Sequence, residues 1–167
     1  MTNATRALLL VTMLALSACG FHLRGSNLKD VQYAFKSLYL KAPGETPFVA
    51  DLRKNLKANK IELTATADTA DLVLEVVTEQ ATKQILSLSG SGRVQEFQLF
   101  YRVSLRAYDG NQTDWISPDD ILLSRIMAYD DAQVYAKAQE EEMLFKDMRS
   151  DAVAQSVWRL SKAKPQL

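Results

Sequence analysis

The sequence predicts an α+β fold. The expected form is a two-layer sandwich: a four-stranded, largely antiparallel or mixed sheet with two helices on one face, in the order β-α-β-β-β-α. Three observations carry that prediction. Phe97, Leu99, Tyr101, Val103 and Leu105 alternate with Glu96, Gln98, Phe100, Arg102, Ser104 and Arg106, as a strand with one covered face requires. Two other stretches repeat apolar residues at helical spacing. Gly90-Ser91-Gly92 and Asp109-Gly110 separate the strand-like segments with turn residues.

Taken along the chain, Ser37 to Ala42 sets Leu38 and Leu40 against Tyr39 and Lys41, a short strand, and Pro43-Gly44 turns it. Thr46-Pro47 then offers an N-cap followed by proline at the first helical position. Phe48, Leu52 and Leu56 place one apolar stripe on a helix ending near Asn59. From Ala70 a second strand puts Leu72, Leu74 and Val76 on one face and extends, bent or bulged, towards Leu88. The alternating strand after Gly92 is the third, and Ile121 to Tyr129 the fourth. Val134 to Lys162 reads as one long helix whose stripe is Val134, Ala138, Phe145, Met148, Ala152 and Ser156, with Val153 and Leu160 at its edge.

Before this domain, Met1 to Thr5 is polar, Arg6 is basic and Ala7 to Leu16 is apolar apart from Thr12. That is the plan of a secretory signal, with an apolar run shorter than the ~20 residues a spanning helix needs. Leu16-Ser17-Ala18-Cys19 follows, and it resembles a bacterial lipobox: an aliphatic residue, two small residues and the only cysteine of the chain. The resemblance implies removal of residues 1–18 and lipidation of Cys19, whose acyl chains would fix the protein to a membrane. Gly20, where retained inner-membrane lipoproteins usually carry Asp, points to the outer membrane. Residues 19–36 then read as a lipidated tether, 37–162 as one domain and 163–167 as a short tail.

Composition narrows the chemistry. Lys plus Arg and Asp plus Glu number 20 each, so no broadly basic surface is available and a nucleic-acid partner is not expected. A single histidine, His22, cannot build a triad with its neighbours or a multi-histidine metal site. A lipidated lone cysteine leaves no disulfide and no thiolate zinc site. Ser89 to Gly92 lacks the nucleophile-elbow spacing, and Glu140-Glu141-Glu142 fan out over a helix. No enzyme, metal or cofactor is expected beyond the covalent lipid on Cys19.

The lipobox with "CGFHLRG", the strand–helix opening, "SGSGRVQEFQL" running into the long strand and "YAKAQEEEMLFKDM" in the last helix together resemble the LptE family of lipopolysaccharide-assembly lipoproteins. The resemblance implies a non-enzymatic protein of the Gram-negative outer membrane. It would sit within or beside the LptD β-barrel on the periplasmic side, in a one-to-one complex, and help assemble it and export lipopolysaccharide. A general lipoprotein scaffold and a small-amphiphile carrier are the alternatives. The phosphates of lipopolysaccharide call for localised cations. Arg93, at the exit of the glycine turn, and Lys137, where the family's Ala-Lys pairing recurs as Ala136-Lys137, are the candidates, with Arg102 and Arg106 behind them and Arg125 as a further position.

Overall fold

The computed structural model describes residues 33–166. The signal segment, Cys19 and the tether up to residue 32 lie outside the described residues. Five strands and two helices follow in order: β1 (Ser37–Lys41), α1 (Pro47–Ala58), β2 (Glu62–Leu63), β3 (Leu72–Leu88), β4 (Val94–Tyr108), β5 (Asp114–Ala128) and α2 (Val134–Lys162). The sheet order is β2-β1-β3-β4-β5. β1 pairs parallel to both β2 and β3, and the β3–β4–β5 meander is antiparallel.

The α+β class and the two helices are those the sequence predicts, but the sheet has five strands rather than four. The additional one, Glu62–Leu63, is two residues long, too short to show a period. β5 also begins seven residues before Ile121, through Pro118. Proline has no N–H for a ladder and usually ends a strand, yet an edge strand tolerates it, and β5 is an edge.

Local chemistry explains the ends of α1. The Thr46 hydroxyl accepts from Val49 N at 3.2 Å, and Pro47 loses nothing at a position where its N–H would be unpaired. At the other end Ile61 N donates to Leu56 O and Lys60 N to Lys57 O, the paired bonds of a Schellman motif. Its left-handed position is held by Lys60, at φ 62°, rather than by glycine. Ile61 and Leu56 are both buried, which adds the apolar contact that accompanies this motif.

The core lies between the sheet and the helices. Leu38, Phe48, Leu52, Leu56, Leu72, Leu74, Leu99, Val103, Ala107, Met148 and Ala152 have no exposed surface. Tyr33 and Phe35 stand just before β1; Phe35 belongs to the core and meets Trp115 edge-on, with ring centres 6.4 Å apart. The predicted stripe of α2 is buried only in its second part, at Met148, Ala152, Val153, Ser156 and Leu160, while Val134 and Ala138 are exposed. The helix is 29 residues, ~44 Å, and its first turns stay outside the buried core.

Candidate functional site

β3 is the element that shapes the surface. Its first part, Leu72 to Val76, points Leu72, Leu74 and Val76 at the helices. A register shift between Val76 and Thr78 inserts one residue, so beyond it the helix-facing positions become Glu79, Ala81, Lys83 and Ile85, opposite Val103, Tyr101, Leu99 and Phe97. This bulge explains how a carboxylate enters the core side. Glu79 accepts from the Tyr101 hydroxyl at 2.5 Å and from the Thr46 hydroxyl, which places its charge at the N-terminus of α1. Burial raises the Tyr101 hydroxyl well above the usual tyrosine range, and the Glu79 carboxylate adds to that shift.

Beyond Glu79, α1 no longer covers the strand. A helix of 12 residues is ~18 Å long, whereas a strand of 17 residues reaches ~56 Å. The far end of the molecule therefore exposes Ile85, Leu86 and Leu88 on β3, and Val134, Tyr135 and Met143 on α2. Polar contacts hold α2 here and further along. Lys83 Nζ lies 2.5 Å from Glu141 and 4.8 Å from the centre of the Phe97 ring, which packs edge-on against Tyr129. Arg125 pairs with Asp151 at 2.8 Å, and Arg159 with Asp119 at 2.8 Å. Among the described residues no helix is long and apolar enough to cross a membrane.

The sequence-derived cations fall in two places. Arg93 closes the β3–β4 turn, where its N–H donates to Ser89 Oγ and its carbonyl accepts from Ser89 N at 2.8 Å. Lys137 lies in the first turn of α2, which begins where β5 ends, beside the same end of the sheet. Arg93 is exposed and Lys137 pairs with Glu140 at 2.8 Å, so the two share an end of the fold without touching through any described bond. Arg102 and Arg106 project instead from the sheet face opposite the helices, Arg102 3.6 Å from Asp120 and Arg106 2.8 Å from Asp114, above the Tyr108 ring. Arg125 is on the helix side. Of the three glutamates, Glu140 and Glu141 take different lysines, so they do not converge. The exposed apolar rim was not legible in the sequence: Ile85 continues the alternation of a buried face, and only the length of α1 leaves it open.

The family model described as LptE, lipopolysaccharide-assembly, matches residues 35–160 of the chain. The chain belongs to the LptE family. Its relatives are lipoproteins of the same kind. It is 25% identical over 151 residues to the LPS-assembly lipoprotein LptE of Pectobacterium atrosepticum, covering 90% of this chain and 80% of that one. Among solved structures it resembles lipoprotein B of Nitrosomonas europaea, at 39% identity and a TM-score of 0.68, over 81% of this chain and 86% of that one. It also resembles the rare lipoprotein B of Shewanella oneidensis, at 25% identity and a TM-score of 0.68, over 75% and 94%. Membership of the LptE family assigns the protein a role in lipopolysaccharide assembly.

Proposed function

We propose that the protein is a non-enzymatic outer-membrane lipoprotein, anchored through Cys19, that plugs and helps assemble the LptD β-barrel. In that setting it supports lipopolysaccharide export and binds lipopolysaccharide at the end of the fold carrying Arg93 and Lys137. The observation that carries this reading is the far end itself: a ribbon and a helix start that leave the core with apolar side chains uncovered, next to cations on a chain of no net charge. Apolar surface of this kind marks a partner-facing region, and local cations suit phosphates. A small-amphiphile carrier would need room between its layers. Here Phe48, Leu52, Leu72, Leu74, Leu99 and Met148 fill that space.

Replacing Arg93 and Lys137 together with Asp tests the ligand. Binding of purified lipopolysaccharide should fall at least tenfold and the wild-type affinity should weaken with added salt, while the melting temperature and recovery of the barrel complex stay unchanged. Wild-type binding by the double variant would remove both residues from the site. Affinity capture from detergent-solubilised outer membrane tests the partner: one barrel protein in equal amount supports the plug, and its absence favours a general lipoprotein scaffold.

A further inference from the structure

Lys83 stands on the helix-facing side of β3, where the pattern of a covered strand asks for an apolar residue. Its partner across the ladder, Leu99, has no exposed surface, yet α1 gives no cover beyond Glu79 and the Lys83 side chain is 37% exposed. Two groups hold its ammonium. Nζ lies 2.5 Å from Glu141 Oε2 and 4.8 Å from the centre of the Phe97 ring, itself set by an edge-on contact with Tyr129 at 5.1 Å. An aromatic face attracts a cation with or without a carboxylate beside it, so Phe97 can keep Lys83 in place after Glu141 leaves.

Lys137 and Glu141 are four residues apart on α2 and share one face, separated by about one turn, ~6 Å. The contact of Glu141 with Lys83 therefore brings Lys137 to the same side, one turn nearer the end of the sheet. The Lys137 side chain is only 17% exposed and pairs with Glu140 at 2.8 Å. The first turns of α2 thus set two part-buried lysines against two carboxylates, one for one. These pairs are not needed to seat the helix, which is fastened by its buried stripe from Met148 to Leu160, and ion pairs so open to water add little stability. A phosphate, with more charge and three acceptor oxygens, is a stronger partner for a lysine than one carboxylate. Ile85, on the same side of β3 as Lys83, and Val134 and Met143 on α2 are more than half exposed, so apolar chains attached to that phosphate have somewhere to lie.

We infer that Lys83 is a third lipopolysaccharide-binding cation, kept neutralised by Glu141 until a phosphate of the ligand displaces that carboxylate. Glu141 is then a built-in competitor, a role that rests on the lipopolysaccharide reading above. Arg93 lies six residues before Leu99 on the chain, ~20 Å from the level of Lys83, so one molecule touching both must carry two separate anionic groups. Lipopolysaccharide, with its phosphates and acidic sugars, does so, whereas a lipid with a single phosphate does not.

Titration of the full chain in non-ionic detergent with purified lipopolysaccharide tests the exchange. Lys83→Gln should weaken binding about tenfold, and Lys83→Arg, which keeps the charge, should retain it. Glu141→Gln should tighten binding about fivefold, because Lys83 no longer has to be released from its ion pair. Glu142→Gln adds the same charge to the same helix at an exposed residue with no ion pair among the described residues, and should change affinity by less than about twofold. The deciding comparison is the double variant: with Lys83→Gln in place, Glu141→Gln should no longer tighten binding. A gain from Glu141→Gln that survives in the Lys83→Gln chain, or that Glu142→Gln matches, reports charge alone and overturns the inference, as does wild-type affinity in Lys83→Gln. Detergent micelles containing phosphatidylglycerol separate the sources of phosphate. Lipopolysaccharide binding without the coupling between positions 83 and 141 overturns the exchange alone. Preference for phosphatidylglycerol with the coupling intact supports the exchange and overturns lipopolysaccharide as its ligand, and binding of neither overturns both.

Discussion

β3 contains two strands' worth of behaviour in one. From Leu72 to Val76 four of five residues are buried, whereas from Val77 to Leu88 none is. Both parts are rich in β-forming residues and both pair with β4 along their whole length. What separates them is the layer above: α1 reaches Glu79, just past the bulge at Val77, and no farther, and α2 lies over β4 and β5. Burial of a strand is thus decided by the length of the helix that covers it as much as by its own pattern. The far part is paired backbone whose apolar side chains, Ile85, Leu86 and Leu88, stay uncovered.

Substitutions can test that division. The largest effect is expected at Val103, which is fully buried opposite Glu79 and Ile121. Val103→Asp places a second carboxylate beside Glu79 in the core and should cost about 3–5 kcal/mol in urea unfolding. Ser104→Asp, one residue along on the open face beside Asp120, should cost about 1 kcal/mol. Equal losses would show that the two faces are not distinct.

Within β3 itself, Leu74→Ala should destabilise the chain by about 2–5 kcal/mol, because Leu74 has no exposed surface and leaves a cavity. Ile85→Ala, on the same side of the sheet but 55% exposed, should stay within about 0.5 kcal/mol. A loss at Ile85 as large as that at Leu74 would mean the far part is covered after all.

Modest effects belong to the two hairpin turns, which share one backbone. Ser89 N bonds Arg93 O and Gly92 N bonds Ser89 O; Asp109 N bonds Thr113 O and Gln112 N bonds Asp109 O. The left-handed position is Gly92 in the first, at φ 79°, and Gln112 in the second, at φ 64°. A Cβ on Gly92 would meet nothing within 4 Å, so Gly92→Ala isolates the backbone penalty, on the order of 1 kcal/mol. Gln112→Gly should raise stability by a similar amount, and thermal melts of the two variants moving in the same direction would refute the shared geometry.

The parts of the fold that repeat were legible in the sequence. β4 alternates over its length, Thr46-Pro47 marks the start of α1, and the stretch of β3 up to Leu88 carried its own sign of irregularity. The left-handed residue at Asp109-Gly110 was not, because the turn uses Gln112 there and leaves Gly110 in an ordinary conformation. β2 depends on pairing with β1 and has no signal of its own. As for the candidate site, residue types and turn positions singled out Arg93 and Lys137, and the strand pairing shows both at one end of the sheet. Glu79 escaped notice, since a polar residue in an alternating strand reads as outward-facing until the bulge reverses the count. Lys83 escaped for the same reason.

The parallel pairing of β1 with β3 also bears on how quickly the chain can organise itself. Leu38 aligns with Leu72 across a helix and a second strand, while β3, β4 and β5 are joined by turns of five residues, 89–93 and 109–113. The meander can form from neighbours in sequence, but β1 gains its ladder only after a long loop closes, and contacts of that kind slow folding. β1 is also made first of these strands, so during synthesis it must wait, with only two-residue β2 available to pair, for β3 still to come. Until then Leu38 and the apolar stripe of α1 have little sheet to rest on, which makes the opening segment of the domain the one most in need of protection while the later strands are made.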